Sequence, residues 1–335
     1  MLNENIQDIL DRIYQKVQDR KLADGQYARW LWQNEDGTRE LGINPYGCAD
    51  AANILYTLGK FPTDPTERQA WVDALQSMQD PETGLYVEKT HHTLHTTAHC
   101  SAAIELFDAT PKYPMKALEQ YLPEGGVEGL LDGLDWDRPW SESHQGAGIY
   151  VSVNLSGMAT PEWNKRYFQW LWDNADPETG LWRAGWVNKP DAPKGIHEHM
   201  ASTFHYLFNH EYAHMPLRYP EKVIDSCLYM YDETPMNPHF GKVAGFLEID
   251  WVYCLTRASR QTPHRFWEIR EHLRDFAVKY FAWIRSADWE KNETLNDMHC
   301  LFGMICCLAE LQQTLHGEIA SDKPLKLVLD RRPFI

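Results

Sequence analysis

The sequence predicts an all-α chain: one domain over 1–335, folded as an (α/α)6 toroid, a ring of six helical hairpins. Three observations lead there. Amphipathic segments alternate with segments that are small and apolar on nearly every side. The apolar segments begin near 48, 97, 146, 199, 249 and 298, a spacing of roughly 50 residues. A proline sits at or near the start of the next amphipathic segment each time, at Pro65, Pro114, Pro161, Pro220 and Pro263, where the first helical turn does not need the missing N–H. A helix with one apolar stripe buries that stripe, and a helix apolar all round is buried on every side. Outer and inner helices of a ring are the simplest arrangement of the two kinds.

In chain order, 5–19 places Ile6, Ile9, Leu10, Ile13, Tyr14 and Val17 on one helical face. The run Gly47-Cys48-Ala49-Asp50-Ala51-Ala52 opens its inner partner. The second pair is 65–78, with Trp71, Val72 and Leu75 inward, and the apolar helix from about His95. The third is the least defined: 114–131 leads to His144–Tyr150, and Tyr150-Val151-Ser152-Val153 also reads as a strand. The fourth runs from 161–174 (Trp163, Tyr167, Phe168, Leu171, Trp172) to the apolar run after His199. The fifth joins 220–231 (Val223, Ile224, Cys227, Leu228) to Phe246–Tyr253, and the sixth joins 264–284 to Asp297–Met304. A turn occurs twice, as Asp80-Pro81-Glu82-Thr83-Gly84 and Asp176-Pro177-Glu178-Thr179-Gly180; proline presets φ and glycine supplies a positive one. The tail from Lys323 reads as a basic extension with no evident chemistry.

The formal net charge of −16, from 32 basic and 48 acidic residues, argues against binding nucleic acid or an anionic membrane through a basic surface. The N-terminal residues carry no signal-peptide pattern, and no apolar run approaches the ~18 residues of a membrane span. Seven cysteines, with Cys306 and Cys307 adjacent, lack a disulfide framework, so a reduced, cytoplasmic protein is expected. Fourteen Trp and sixteen Tyr exceed the needs of a core and suit a concave site for sugars or other flat-faced ligands.

In such a ring the inner helices all start at one face. Their free N–H groups and positive dipole ends point into a central funnel. The residues at those starts are Asp50, His95, His99, His144, Glu198, His199, Glu248, Asp250, Asp297 and His299, flanked by Tyr46, Tyr86, Trp140, Trp182 and Trp186. Asp50, Asp250 and Asp297 are the candidate general acid and base, since two carboxylates facing across a funnel can hydrolyse a glycosidic bond. His144 or His199 would orient or share the proton. Tyr46, Tyr86, His95, His99, Trp140, Trp182, Trp186, Glu248 and His299 would contact the substrate. A single Asp at a helix start is an ordinary N-cap; titratable groups at all six starts read as a pocket.

At the level of architecture, nearly the whole chain resembles the six-hairpin glycosidases and the terpenoid cyclase/prenyltransferase toroids. The first resemblance implies a carbohydrate-active enzyme, a glycoside hydrolase acting on a short glycan or other small molecule without a cofactor. No family's complete catalytic motif is matched, so no residue role is carried over. The histidines also suit a sugar epimerase or a polysaccharide lyase, in which His or Tyr moves a proton at carbon. The terpenoid branch fits less well: there is no DxDD motif, and a prenyltransferase-type zinc site would need Asp297, Cys300 and a further His.

A rival motif lies at His210-Glu211-Tyr212-Ala213-His214, with Glu233 after eighteen residues. On a helix, H-E-x-x-H puts two zinc ligands on one face with Glu as base, which would make the chain a zinc metallopeptidase. Against it, Pro216 would end the helix, and the segment falls at the far end of the fourth inner helix. His95/His99 and His197/His199 are further ligand pairs. A ring that binds a ligand without turnover is the remaining reading.

Overall fold

The computed structural model describes residues 2–187, 195–233 and 239–334. The described chain is all-helical, with only short strands beside the helices. Helix α1 (Gln7–Gln18) buries Ile9, Leu10, Ile13 and Val17, and α2 (Pro45–Thr57) is buried along nearly its whole length. The alternation continues with α3 (Pro65–Ser77) and α4 (Thr93–Glu105), then α5 (Gly126–Gly133) and α6 (Pro139–Leu155). It ends with α7 (Pro161–Asn174) and α8 (Ile196–Ala213), α9 (Pro220–Asp232) and α10 (Phe246–Ser259), α11 (Phe266–Ser286) and α12 (Met298–Thr314). The even-numbered helices are the apolar ones. They pack in sequence, α2 on α4, α4 on α6, α6 on α8, α8 on α10 and α10 on α12, and α12 packs back on α2.

Local chemistry sets the helix starts. Asn44 caps α2 by accepting from the N–H of Tyr46 and Gly47, and Pro45 occupies the first turn. Pro65, Pro161 and Pro220 begin their helices as expected, and Pro139 begins α6. Two of the expected prolines do not. Pro114 precedes a 3-10 helix, Lys116–Tyr121, and Pro263 lies three residues before α11.

The third unit differs most from expectation. Its outer segment divides into the 3-10 helix and the short α5, and Tyr150–Val153 is helical within α6, not a strand. Packing overrides the β-propensity of that stretch. A Cβ on Gly148 would lie 2.7 Å from the Leu94 carbonyl oxygen, so glycine lets α6 seat closely against the start of α4.

The chain ends meet. Strand β1 (Glu4–Asn5) pairs in parallel with β4 (Ile319–Ala320), while β2 (Lys21–Ala23) and β3 (Gln26–Tyr27) form a small antiparallel pair. The tail is not a loose extension. It forms a short helix, α13 (Val328–Arg331), and then buries Arg332 and Phe334 completely. Phe334 packs edge-on beneath His95, with ring centroids 4.8 Å apart, and also reaches His205 and Phe208. No described helix is long and apolar enough to cross a membrane, and all seven cysteines are free.

The repeated turn joins neighbouring units. Gly84 (φ +77°) and Gly180 (φ +75°) both need the left-handed region, and a Cβ there would lie 2.1 Å from Pro114 O and 2.7 Å from Tyr219 O. Gly37 has a similar φ of +72° but nothing within 4 Å. Gly84→Ala and Gly180→Ala should therefore cost about 2 kcal/mol or more, against about 1 kcal/mol for Gly37→Ala. Denaturant midpoints check this; equal losses at the three positions would contradict the packing described.

Candidate functional site

The first turns of several buried helices meet at one cavity of about 330 Å³. His95 comes from α4; Trp140, Ser141 and His144 from α6; Glu198 and His205 from α8; Phe246 from α10; and His299 from α12. His91, from the loop before α4, and Arg138, from the residue before α6, also line the cavity. Five imidazoles thus converge from four segments that are distant in sequence.

Behind this wall lies a second, sealed layer. Asp50 of α2 is fully buried. It accepts from His99 Nε2 at 2.8 Å and from His299 Nδ1 at 3.1 Å and 3.2 Å. Burial would raise the Asp50 carboxyl, but the His299 and His99 charges and hydrogen bonds outweigh it and hold it below its ordinary value. Arg332 donates to His99 Nδ1 at 3.3 Å, which leaves Nε2–H to point at Asp50. With His299 Nδ1 given to Asp50, its Nε2 is the ring nitrogen left for the cavity. Tyr46 is also fully buried; its hydroxyl and His95 Nδ1 are 2.5 Å apart.

The His205 tautomer follows from its neighbours. The Ser143 hydroxyl donates to the Trp140 carbonyl at 2.6 Å, so its oxygen accepts from His205 Nδ1–H at 2.9 Å. That leaves His205 Nε2 unprotonated. Burial lowers His205 to about 3 and His91 to about 4, and pushes His95 and His144 well down. These imidazoles are neutral at neutral pH.

The expected site residues divide into three groups. His95, Trp140, His144, Glu198 and His299 line the cavity. Tyr46, Asp50 and His99 stand directly behind them, as the hydrogen bonds above show. The others lie elsewhere. Asp297 caps α12 by accepting from His299 N–H and receives both Nε and Nη2 of Arg29 at 2.8 Å. His199 Nδ1 pairs with the Trp182 carbonyl at 2.8 Å. Tyr86 and Trp182 are core residues, and Trp186 packs against that core at half-burial. Glu248 accepts from Gly241 N–H at 2.9 Å, and Asp250 is fully buried with neither oxygen hydrogen-bonded. Neither of these two carboxyls is on the lining. Burial is the main reason that Asp250 is raised well above its ordinary value, with Glu248 adding to the effect.

The rival zinc motif is not assembled as expected. His214 is the left-handed C-cap of α8 and not a member of its helical face, and Glu211 is paired with Arg257 and Arg260 at 3.2 Å and 3.0 Å. His210 and His214 belong to neither of the two metal-capable clusters among the described residues. Those clusters are His95/His144/His205 and Asp50/His99/His299.

His91, Arg138, Ser141, His205 and Phe246 were not singled out as site residues from the sequence. His205 carried a signal, a titratable side chain inside the otherwise apolar Met200–Phe208 run. Comparisons with protein-family models, curated proteins and solved structures found no match to this chain.

Burial raises Glu248 to about 7. The folded chain then holds a proton that the unfolded chain releases above about 4.3. The Glu248 contribution therefore falls as pH rises from about 4.3 to about 7. Glu248→Gln keeps the acceptor for Gly241 and removes the titration. Relative to wild type it should gain about 1–3 kcal/mol between pH 5 and pH 8. Denaturant melts at the two pH values check this, and an unchanged difference would contradict it.

Proposed function

We propose that the chain is a closed (α/α)6 toroid whose funnel binds a small sugar and moves a proton at one of its carbons, as a sugar epimerase does. One observation carries this reading: the cavity is walled by five histidines, one of them held by a buried carboxylate. The cyclic packing of the six buried helices supports the ring. Trp140 and Phe246 offer flat apolar faces to a sugar, and Arg138 and Glu198 offer polar ends. About 330 Å³ is at the small end of the ~300–1,000 Å³ of ligand pockets, which suits one or two rings better than a long glycan.

A hydrolase with paired carboxylates is less well supported, because such a mechanism needs two carboxyl groups across the bond. Glu198 is the one carboxylate among the described lining residues. Asp50 and Asp297 are committed to His and Arg partners.

In the proposed reaction His299 Nε2 takes the proton from a carbon beside the sugar carbonyl. The C–H electron pair passes into the enolate, a solvent-derived proton delivered to the opposite face inverts the carbon, and His299 releases the abstracted proton to solvent. Asp50 acts by fixing the His299 ring and its tautomer and is a positioning residue. A lyase begins with the same abstraction and differs in expelling a leaving group.

Incubating a panel of reducing sugars and uronates in D2O tests this. NMR should show solvent deuterium entering the substrate carbon together with product. His299→Ala should lower kcat by about 10²–10⁴-fold, the usual worth of a general base. Asp50→Asn should lower kcat more than it raises KM. Turnover without deuterium entry, or full activity in His299→Ala, would contradict the reading.

A further inference from the structure

Three of the cavity histidines form a group of their own. His95, His144 and His205 come from the successive helices α4, α6 and α8. Their ring centroids are 4.4, 5.0 and 5.8 Å apart, and one nitrogen from each lies within 4.8 Å of one from each of the others. We propose that His95, His144 and His205 bind one divalent transition-metal ion, such as Zn2+, with a further coordination position open to the cavity.

The surroundings favour that use. A ligating imidazole normally gives its second ring N–H to a fixed acceptor, which sets the tautomer and ring orientation. His205 has this arrangement, since Ser143 is committed to the Trp140 carbonyl and must accept from Nδ1–H. In His95 the Tyr46 hydroxyl occupies Nδ1, which leaves Nε2 as the nitrogen that can face an ion. Nε2 of each is then the ligand atom. His144 makes no hydrogen bond among the described residues, so its ring can turn to complete the set. Tetrahedral Zn–N bonds of about 2.0–2.1 Å place the nitrogens about 3.3 Å apart, so the ion would draw the rings together by side-chain rotation. Three neutral imidazoles with an open position make a catalytic type of zinc site, whereas structural zinc is closed by four protein ligands.

The other cluster is the poorer host. Asp50, His99 and His299 already satisfy one another, and the fully buried Arg332 guanidinium touches His99. A metal ion there would face a buried cation.

The inference deepens the reading of the funnel as a sugar site and rests on it for the ion's role. Bound there, the ion supplies a Lewis acid that polarises the sugar carbonyl. Binding itself is measured without a substrate. The tag-free full chain is stripped with a chelator and titrated with Zn2+ by calorimetry, and Co2+ absorption reports the coordination. One Zn2+ per chain is expected, with the intense visible bands of four-coordinate Co2+. His205→Gln and His144→Ala should each weaken binding at least ~100-fold, and Ser143→Ala about 10-fold. Circular dichroism confirms that each variant is folded. The His210→Ala/His214→Ala variant should bind as wild type does.

Absence of stoichiometric Zn2+ in wild type overturns the proposal, as does retention of it by a folded His144→Ala/His205→Gln chain. The two readings fail separately. Turnover by the stripped chain that Zn2+ does not raise removes the metal's role and keeps the sugar site. Bound Zn2+ with no turnover of any sugar keeps the metal site and removes the epimerase.

Discussion

The structure turns on one buried carboxylate. Asp50 has no exposure to solvent, and an isolated charge in such a place costs several kcal/mol even after relaxation. It is tolerated because His99 from α4 and His299 from α12 donate to it from either side of α2. The same two bonds tie α2 to both its neighbours, at the seam where the last buried helix returns to the first. Arg29 to Asp297 makes a second tie at that seam, from the segment after β3 to the α12 cap. Seam and site are therefore one construction: what holds α12 to α2 also aims His299.

Support for the cavity comes from below as well as from the sides. The C-terminal tail packs against the buried helices α8 and α2. Asp330 pairs with Arg257, which also pairs with Glu310, and Arg332 reaches His99. Phe334 lies under His95. A segment that looks detachable in sequence thus forms the floor under the histidines. The layering explains how so many imidazoles stay neutral and close together: aromatic rings and apolar side chains surround them, and burial disfavours their charged forms.

Much of the architecture was legible because one pattern recurs. Six amphipathic segments each precede an apolar one, and the proline and glycine punctuation marks most of the junctions. The third unit was hard to read because Tyr150-Val151-Ser152-Val153 has strand-like composition, and what decides its state is the approach of α6 to α4 at Gly148. The site was half legible. Titratable groups at helix starts pointed to His95, His144, Glu198 and His299. Sequence could not show that Asp297 would be held by Arg29, 268 residues away, or that Asp250 would be buried off the cavity. His205 lies in the third turn of α8, beyond the helix starts where the sequence pattern points, yet it lines the same cavity. Reading carboxylates as the working groups followed from their place at the starts of the apolar helices; the geometry shifts that weight to the histidines.

The central claim is that the cavity at the starts of the buried helices is where the ligand sits. A crystal structure of the chain grown with a sugar that raises its Tm tests this most directly. The account predicts density for the sugar against Trp140 and Phe246, with an oxygen or carbon within reach of His299 Nε2. Density near the C-terminal ends of α8 and α10, at Glu211 and Arg257, or on an amphipathic helix face with the histidine cavity holding only water, would contradict it.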